Sequence, residues 1–276
     1  MKKKCSAVLA FLCLCAVAGE ENLFVNGKAV KGGALPMTGA GLTIAAEPVQ
    51  AGAWCFEAAP GRYIGTDLIP IEPGCAYEVS GRFRGGKECG RFVFGFSCFD
   101  AGKKPIAEHH IHAVPGTFTA LAAPAVKGEN SILIKDGEAW RKIAGRIAVF
   151  HAKSDLSDLP NRFTQYYISS VTKEGEAWKV TFTKPLARNY PAGTGVRMHR
   201  EGSALNAFAF IKPGEAWKEY RTVILPEAVG APIHRNFWQG TRFVKIHFYV
   251  YPGDRIQCGD FVLRKVPVPA KPADRF

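Results

Sequence analysis

One strand-like run near the C-terminus carries polar and aromatic side chains at every second position. Residues 243–251 read Phe-Val-Lys-Ile-His-Phe-Tyr-Val-Tyr. Side chains of a β-strand alternate between two faces, so one face is apolar and the other holds Lys245, His247, Tyr249 and Tyr251. A flat aromatic ring packs against the apolar face of a sugar, and nearby donors and acceptors bind its hydroxyl groups. This face predicts a sugar-binding surface, unless the middle of the chain covers it.

Glu78 and Arg82 are two further candidates for the same surface. They belong to a second alternating run, residues 77–84, in which Tyr77, Val79 and Phe83 share the opposite, apolar face. We expect Glu78 and Arg82 to join the site if their strand lies beside residues 243–251.

A polar loop in the middle of the chain offers oxygen donors at short spacing. Asp155, Asp158 and Asn161 are of the type that binds calcium rather than a transition metal. The EF-hand spacing is absent, and Pro160 with Asx-turns explains the same loop without an ion. We therefore expect no cofactor, with a structural calcium ion at this loop as the alternative.

A histidine-rich segment precedes this loop. Glu108, His110 and His112 would share one face of an extended segment, and two imidazoles with a carboxylate can hold a zinc ion. Such a site needs further ligands and supporting contacts that are not evident in the sequence. Exposed strand histidines are the alternative interpretation.

Motifs for catalysis are not evident. The sequence contains no nucleophile elbow, no ordered Ser/His/Asp set and no paired carboxylates in a recognisable setting. Carboxylates distant in sequence can still converge in space, as in sandwich-fold lyases and glycosidases. We expect a non-catalytic protein, with a polysaccharide-degrading enzyme as one alternative.

The elements that must position these residues are predominantly strands. From residue 61 to 100, short apolar runs with a period of two are separated by Gly and Pro. The run 92–99 is apolar on both faces and predicts a central strand. Similar strands return after residue 217 and include residues 221–225, 242–251 and 260–265. The pattern predicts an all-β fold, a sandwich of two sheets.

The middle of the chain has a different sequence pattern, with shorter strand-like segments, and this pattern predicts a small β subdomain. Turn dipeptides separate short alternating segments such as residues 131–135 and 178–183. Gly-Glu-Ala-Trp occurs three times, ending at Trp140, Trp178 and Trp217. The flanking residues do not match as a repeat array would, so we expect three turn-into-strand corners with the tryptophans in the core.

The N-terminus has the three parts of an export signal. Three lysines at positions 2–4 precede an apolar run, which ends in Ala16-Val17-Ala18. We expect residues 1–18 to be cleaved and the protein to be secreted or located at the cell surface or in the periplasm. Lipoprotein processing at Cys13 or Cys15 is the alternative.

The net charge indicates which class of partner the protein favours. The net charge of +12 includes the three signal lysines, and the rest is scattered rather than clustered. This distribution favours acidic glycans over nucleic acid, for which no binding motif is present.

Five of the eight cysteines follow the signal. Either Cys75 bridges to Cys89 or Cys98, or every cysteine is a small buried residue.

Short motifs resemble carbohydrate-binding modules of the galactose-binding-like jelly roll. Residues 22–27, Asn-Leu-Phe-Val-Asn-Gly, are similar to the opening of that family. Residues 63–71 and 73–81 resemble its second and third strands, and residues 259–263 resemble its closing strand. Lys28-Ala29-Val30 stand where the family carries an acidic residue, and the middle third has no counterpart in the simplest modules.

Together these observations predict a jelly-roll β-sandwich interrupted by an inserted β subdomain. The sandwich would comprise residues 22–106 and 207–266, the insert residues 107–206, and a tail residues 267–276. The resemblance implies a secreted glycan-binding module with a polysaccharide or glycan as partner. The scattered positive charge favours an acidic glycan, and we expect no membrane span. An adhesive cell-surface protein that binds another protein is the second alternative.

Overall fold

The computed structural model describes residues 21–46, 50, 52–141, 147–202, 204–230 and 233–269. Within these ranges the chain is almost entirely β-structure with antiparallel sheets, which confirms the predicted fold class. The predicted export signal and residues 270–276 of the predicted tail lie outside the described residues.

The described residues form 19 strands and two single-turn helices. The strands before the middle of the chain are β1 (Met37–Thr38), β2 (Leu42–Ala46), β3 (Trp54–Ala58), β4 (Gly61–Gly65), β5 (Ile69–Pro70), β6 (Ala76–Gly85), β7 (Phe92–Phe99) and β8 (Pro105–Ile106). They are followed by α1 (Glu108–Ile111), β9 (Thr119–Ala120), β10 (Ser131–Ile134), α2 (Glu138–Arg141), β11 (Ile147–Phe150), β12 (Thr164–Tyr166), β13 (Ile168–Glu174), β14 (Ala177–Phe182) and β15 (Gly195–His199). The last four are β16 (Leu205–Ile211), β17 (Lys218–Ile224), β18 (Phe243–Val250) and β19 (Ile256–Val266).

Two sheets form the sandwich. The front sheet has the order β1-β4-β18-β7-β16, with β5 beside β18 and β8 beside β7. The back sheet has the order β17-β6-β19-β3-β2. Strands adjacent in a sheet come from distant parts of the sequence, so β16, β17, β18 and β19 complete sheets that begin before residue 100.

Phenylalanine side chains fill the space between the two sheets. Phe83 of the back sheet stacks on Phe92 of the front sheet with ring centroids 4.2 Å apart, and Phe94 stacks on Phe261 at 5.1 Å. Phe248 is fully buried in the same cluster. These residues occupy alternate positions of their strands, so the opposite positions face outward from the sandwich.

The first described residues pack along the last strand. Asn22 donates from Nδ2 to the carbonyl oxygen of Phe261 at 2.8 Å, and its Oδ1 accepts the N–H of Leu263 at 3.0 Å. A Cβ on Gly27 would collide with the carbonyl of Phe261, so the chain needs glycine there. The opening motif and the closing motif of the predicted jelly roll are thus in direct contact.

The middle of the chain has a hydrophobic cluster of its own. The small sheets β10-β14-β13 and β12-β11-β15-β9 supply it, with members from Val114 to Met198. Trp140 and Trp178 are buried in this cluster, as predicted. Trp217 is only half-buried, and Trp140 belongs to helix α2 rather than to the predicted corner. We call residues 107–202 the middle segment.

Candidate functional site

The structure separates the predicted ligand-binding residues into two groups. Glu78 and Arg82 lie on β6 of the back sheet, and Lys245, His247 and Tyr249 lie on β18 of the front sheet. Both groups alternate with core residues and therefore face outward in opposite directions. The expectation that Glu78 and Arg82 join the surface of residues 243–251 is not met, because the sandwich core lies between them.

Glu78 and Arg82 instead take part in ion pairs on the back sheet. Glu78 accepts from Arg264 at 2.9 Å and from Arg221 at 3.2 Å. Arg82 pairs with Asp260 at 3.0 Å, and its guanidinium lies 4.8 Å from the ring centroid of Trp217. These contacts order the outer surface of the back sheet and account for both residues without a ligand.

Three predicted residues of the front sheet line one cleft. His247, Tyr249 and Tyr251 border a space of about 240 Å³ on the outer face of β18, β7 and β16. We call it the aromatic cleft; its other lining residues are Val93, Glu108, Gly202, Ala204, Asn206 and Phe210. Lys245 is not part of the lining, and its Nζ donates to the carbonyl of Thr66 at 3.4 Å.

Strand register explains why this cleft forms where it does. His247 of β18 and Asn206 of β16 both pair with Gly95 of the intervening strand β7. A Cβ on Gly95 would collide with the carbonyl oxygen of Leu205, so glycine at this position lets β16 approach β7 closely. Tyr249 pairs with Val93 one step along the same face. The pairing of β18, β7 and β16 thus brings His247, Tyr249 and Asn206 to one region of the front sheet.

The aromatic side of the cleft consists of three rings. Tyr249 and Tyr251 meet edge to face with centroids 4.7 Å apart, and Phe210 lies 5.7 Å from Tyr251. Phe210 is 57% exposed, which is unusual for a phenylalanine. It has a φ of 57° within an irregularity of the β16–β7 pairing, and this conformation directs the chain away from the regular ladder.

Two polar atoms at the cleft lack hydrogen-bond partners among the described residues. They are Oδ1 of Asn206 and Nδ1 of His247, and both atoms are buried. Burial, together with the nearby charge of Arg62, lowers the pKa of His247 to about 4. The imidazole is therefore neutral at physiological pH, and its ring nitrogens can act as one donor and one acceptor.

Glu108 forms the opposite wall of the cleft. It lies in α1, where the sequence predicted an extended segment, so the predicted face holds Glu108 and His112 but not His110. In the helical turn Oε1 of Glu108 contacts Nδ1 of His112 at 2.7 Å, while Nδ1 of His110 accepts the N–H of Ala107 at 3.0 Å. A Cβ on Gly202 would collide with the Glu108 carboxyl group, so glycine allows this close approach.

The predicted calcium loop is held by protein contacts. Oδ2 of Asp158 accepts from Arg197 at 2.9 Å and from Asn161 at 2.8 Å, while its Oδ1 accepts the N–H of Lys153 at 3.0 Å. Asp155 is apart from this cluster, and its Oδ1 accepts the N–H of Ser157 in an Asx-turn. In the described part of the chain, no three His, Cys, Asp or Glu residues are grouped so as to hold a metal.

Three residues of the cleft were not predicted to share a ligand site with the tyrosines. Asn206 and Phe210 lie in the run Leu-Asn-Ala-Phe-Ala-Phe-Ile, where the single amide in an apolar strand was the available signal. Glu108 was considered only as a metal ligand. Their convergence depends on pairing between β7 and β16, which are more than 100 residues apart in sequence.

Comparisons with known proteins find little similarity. No protein family and no curated protein matches the sequence. A solved structure of the enzymatically active domain of tailspike protein 4 from bacteriophage CBA120 superimposes with a TM-score of 0.38 and 9% identity. The match covers 89% of this chain and 21% of the tailspike chain, so the chain spans about a fifth of that structure's length. A similarity this low carries no functional argument.

One further property concerns membranes. Among the described residues, no helix combines the length and the apolar character that crossing a membrane requires.

Proposed function

We propose that this protein is an exported, non-catalytic glycan-binding module and that the aromatic cleft binds a sugar ring. The proposal of export rests on the lysines and the apolar run of residues 2–18. The jelly-roll resemblance of residues 22–27 and 259–263 supports a carbohydrate-binding module.

The chemistry of the cleft suits a sugar. Tyr249, Tyr251 and Phe210 offer aromatic surface to the C–H face of a pyranose. Glu108, Asn206 and His247 offer an acidic oxygen, an amide and a neutral imidazole, which can bind hydroxyl groups as acceptors and donors. The volume of about 240 Å³ is close to the lower limit of small-molecule sites, which suits one sugar residue rather than a long segment.

The observation that carries the proposal is the pair of buried polar atoms without partners. Buried polar groups in native proteins almost always have a hydrogen-bond partner, and leaving one unpaired costs about 1–3 kcal/mol. Asn206 and His247 each have such an atom, and both line the same cleft beside three aromatic rings. A ligand whose hydroxyl groups reach these two atoms would pair them.

A glycan array tests this proposal. The wild-type protein is expected to bind a defined subset of glycans, and Tyr249→Ala is expected to weaken that binding about tenfold or more, which corresponds to about 1.4 kcal/mol. Phe163→Ala is the matched control, because Phe163 is also an exposed aromatic residue but does not line the cleft. This control is expected to bind like the wild type.

Two results would contradict the proposal. One is an array on which the folded wild-type protein binds nothing. The other is a Tyr249→Ala variant that is folded, as judged by its melting temperature, and retains the wild-type affinity.

A further inference from the structure

A second and larger cavity lies between the middle segment and residues 228–230 and 233–239. Its volume is about 620 Å³, and apolar side chains such as Phe118, Leu156 and Trp238 form much of its wall. We call it the basic cavity because its charged or titratable lining residues are His112, Arg197, Arg200 and His234, with no Asp or Glu among the described residues that line it.

The basic residues of this cavity differ in how far they are already paired. Arg197 forms a buried ion pair with Asp158 at 2.9 Å, with side chains 2% and 6% exposed. His112 is in contact with Glu108. Arg200 is exposed, and its guanidinium forms no ion pair with an acid in the described part of the chain. Arg200 is therefore the cation of this lining that is best placed to receive an anionic ligand.

The basic cavity and the aromatic cleft are neighbours. Glu108 lines the cleft and His112 lines the cavity, and their side chains are in contact at 2.7 Å. Arg200 lines the cavity, and Gly202, two residues later, lines the cleft. The two ends of the single turn α1 thus contribute to the linings of two different spaces.

We propose that the basic cavity binds an acidic sugar, a uronate, whose carboxylate pairs with Arg200 while a neighbouring sugar of the same glycan occupies the aromatic cleft. This inference rests on the proposed function, since it assigns the class of glycan. Guanidinium and carboxylate groups are matched in geometry and form charge-assisted hydrogen bonds. The apolar wall provides a surface for the C–H face of the sugar ring, as in other small-molecule sites.

The cavity, rather than the cleft, is the place for the acidic group. Glu108 brings negative charge to the wall of the aromatic cleft, which disfavours a second carboxylate there. No acid among the described residues lines the basic cavity, so a uronate meets only cationic and neutral groups there. The arrangement therefore orients the glycan: its acidic unit lies in the basic cavity, and the neighbouring unit lies in the aromatic cleft.

A paired array tests this inference. The probes are oligomers of galacturonate, glucuronate and alginate, each beside a counterpart in which the carboxyl groups have been reduced to alcohols. The wild type is expected to prefer the acidic member of at least one pair by about fivefold or more. Arg200→Gln keeps a polar side chain that can donate hydrogen bonds but lacks the charge, and it is expected to bind both members of that pair equally well.

The control is Arg84→Gln, which removes a positive charge from the outer face of the back sheet, away from both spaces. It is expected to keep the wild-type preference. A wild type without preference, an Arg200→Gln variant that keeps it, or an equal loss in Arg84→Gln would overturn the inference. Binding to reduced glycans that depends on Tyr249 would then still support the proposed function, whereas binding to neither member would refute both.

Discussion

Asn206 and His247 flank Gly95 in the front sheet, and each contributes a buried polar atom that has no partner among the described residues. This relationship joins strands from distant parts of the sequence. A Cβ on Gly95 would collide with the carbonyl of Leu205, so the sheet requires a glycine at the position that pairs with both residues. The glycine thus allows the strand pairing that brings both side chains to the aromatic cleft.

The buried ion pair of the middle segment gives a prediction about stability. Arg197→Met leaves the buried carboxylate of Asp158 without its cation, and we expect the free energy of unfolding to fall by about 3–5 kcal/mol. Urea denaturation measures this loss. Lys179→Met, which breaks an exposed pair with Glu174, is expected to cost less than about 1 kcal/mol. Similar losses in the two variants would show that the Arg197 pair is not special.

The same geometry gives a prediction about calcium. Protein donors already bond to both carboxylate oxygens of Asp158, and Asn161 is engaged with Phe150 and Phe163. We therefore expect identical melting curves in calcium and in chelator. A melting temperature that rises with calcium in the wild type and not in Asp155→Asn would instead establish the calcium site predicted from the loop.

The lowered pKa values of three histidines predict that the protein loses stability in mild acid. Burial is the main cause that lowers the pKa of His199 to about 3 and of His110 and His247 to about 4, from the ordinary value of 6.5. Nε2 of His199 also accepts a hydrogen bond from Nε of Arg197 at 2.9 Å, which requires the neutral ring. The unfolded chain therefore binds more protons than the folded chain between pH 6.5 and 4.

The sign of the effect follows from this difference. The stabilisation is fully present above pH 6.5, and each histidine removes up to about 1.4 kcal/mol per pH unit as the pH falls toward its folded pKa. Asp158 does not obscure this window, because its pKa is lowered from 3.8. Urea denaturation at pH 7.5, 6 and 5 measures the slope. His199→Gln, which keeps an acceptor for Arg197, is expected to reduce it, and an unchanged slope would argue against the assignment.

The cysteines give a prediction about reactivity. All five in the described residues are buried, and the structure shows no disulfide between Cys75 and either Cys89 or Cys98. Burial raises the pKa of Cys98 to about 12, so the reactive thiolate is scarce at neutral pH. We expect a thiol reagent to label none of them rapidly in the native protein and five in urea, for the chain from Gly19 onward. A mass increase of two hydrogens upon reduction would instead reveal a disulfide.

Local patterns in the sequence predicted the strands and their faces better than the site. Alternation correctly oriented the core residues of β6 and β18, because side-chain direction depends only on the strand itself. It did not indicate that the two strands belong to opposite sheets, since sheet membership depends on contacts between distant residues. Glu78 and Arg82 were placed with Tyr249 for this reason.

The histidine segment shows a second limit. Four residues, Glu108–Ile111, form one helical turn, which is too short for a periodic pattern to reveal. The turn depends on the Glu108–His112 contact and on the approach of Gly202, which a strand pattern does not include. The sequence therefore indicated that Glu108 could bind a ligand, but it did not indicate that Glu108 contacts His112 or lines the aromatic cleft.

The most direct test of the aromatic cleft compares stability and glycan affinity in Asn206→Ala. Since Oδ1 of Asn206 has no described partner, its removal is expected to leave the free energy of unfolding unchanged or to raise it. If the amide binds a sugar hydroxyl, the same variant is expected to lose about tenfold or more in affinity for the glycans that the wild type binds. The contradicting result is a variant that keeps the wild-type affinity and loses about 1–3 kcal/mol of stability. Such a loss is expected when a buried group that does have a partner is removed.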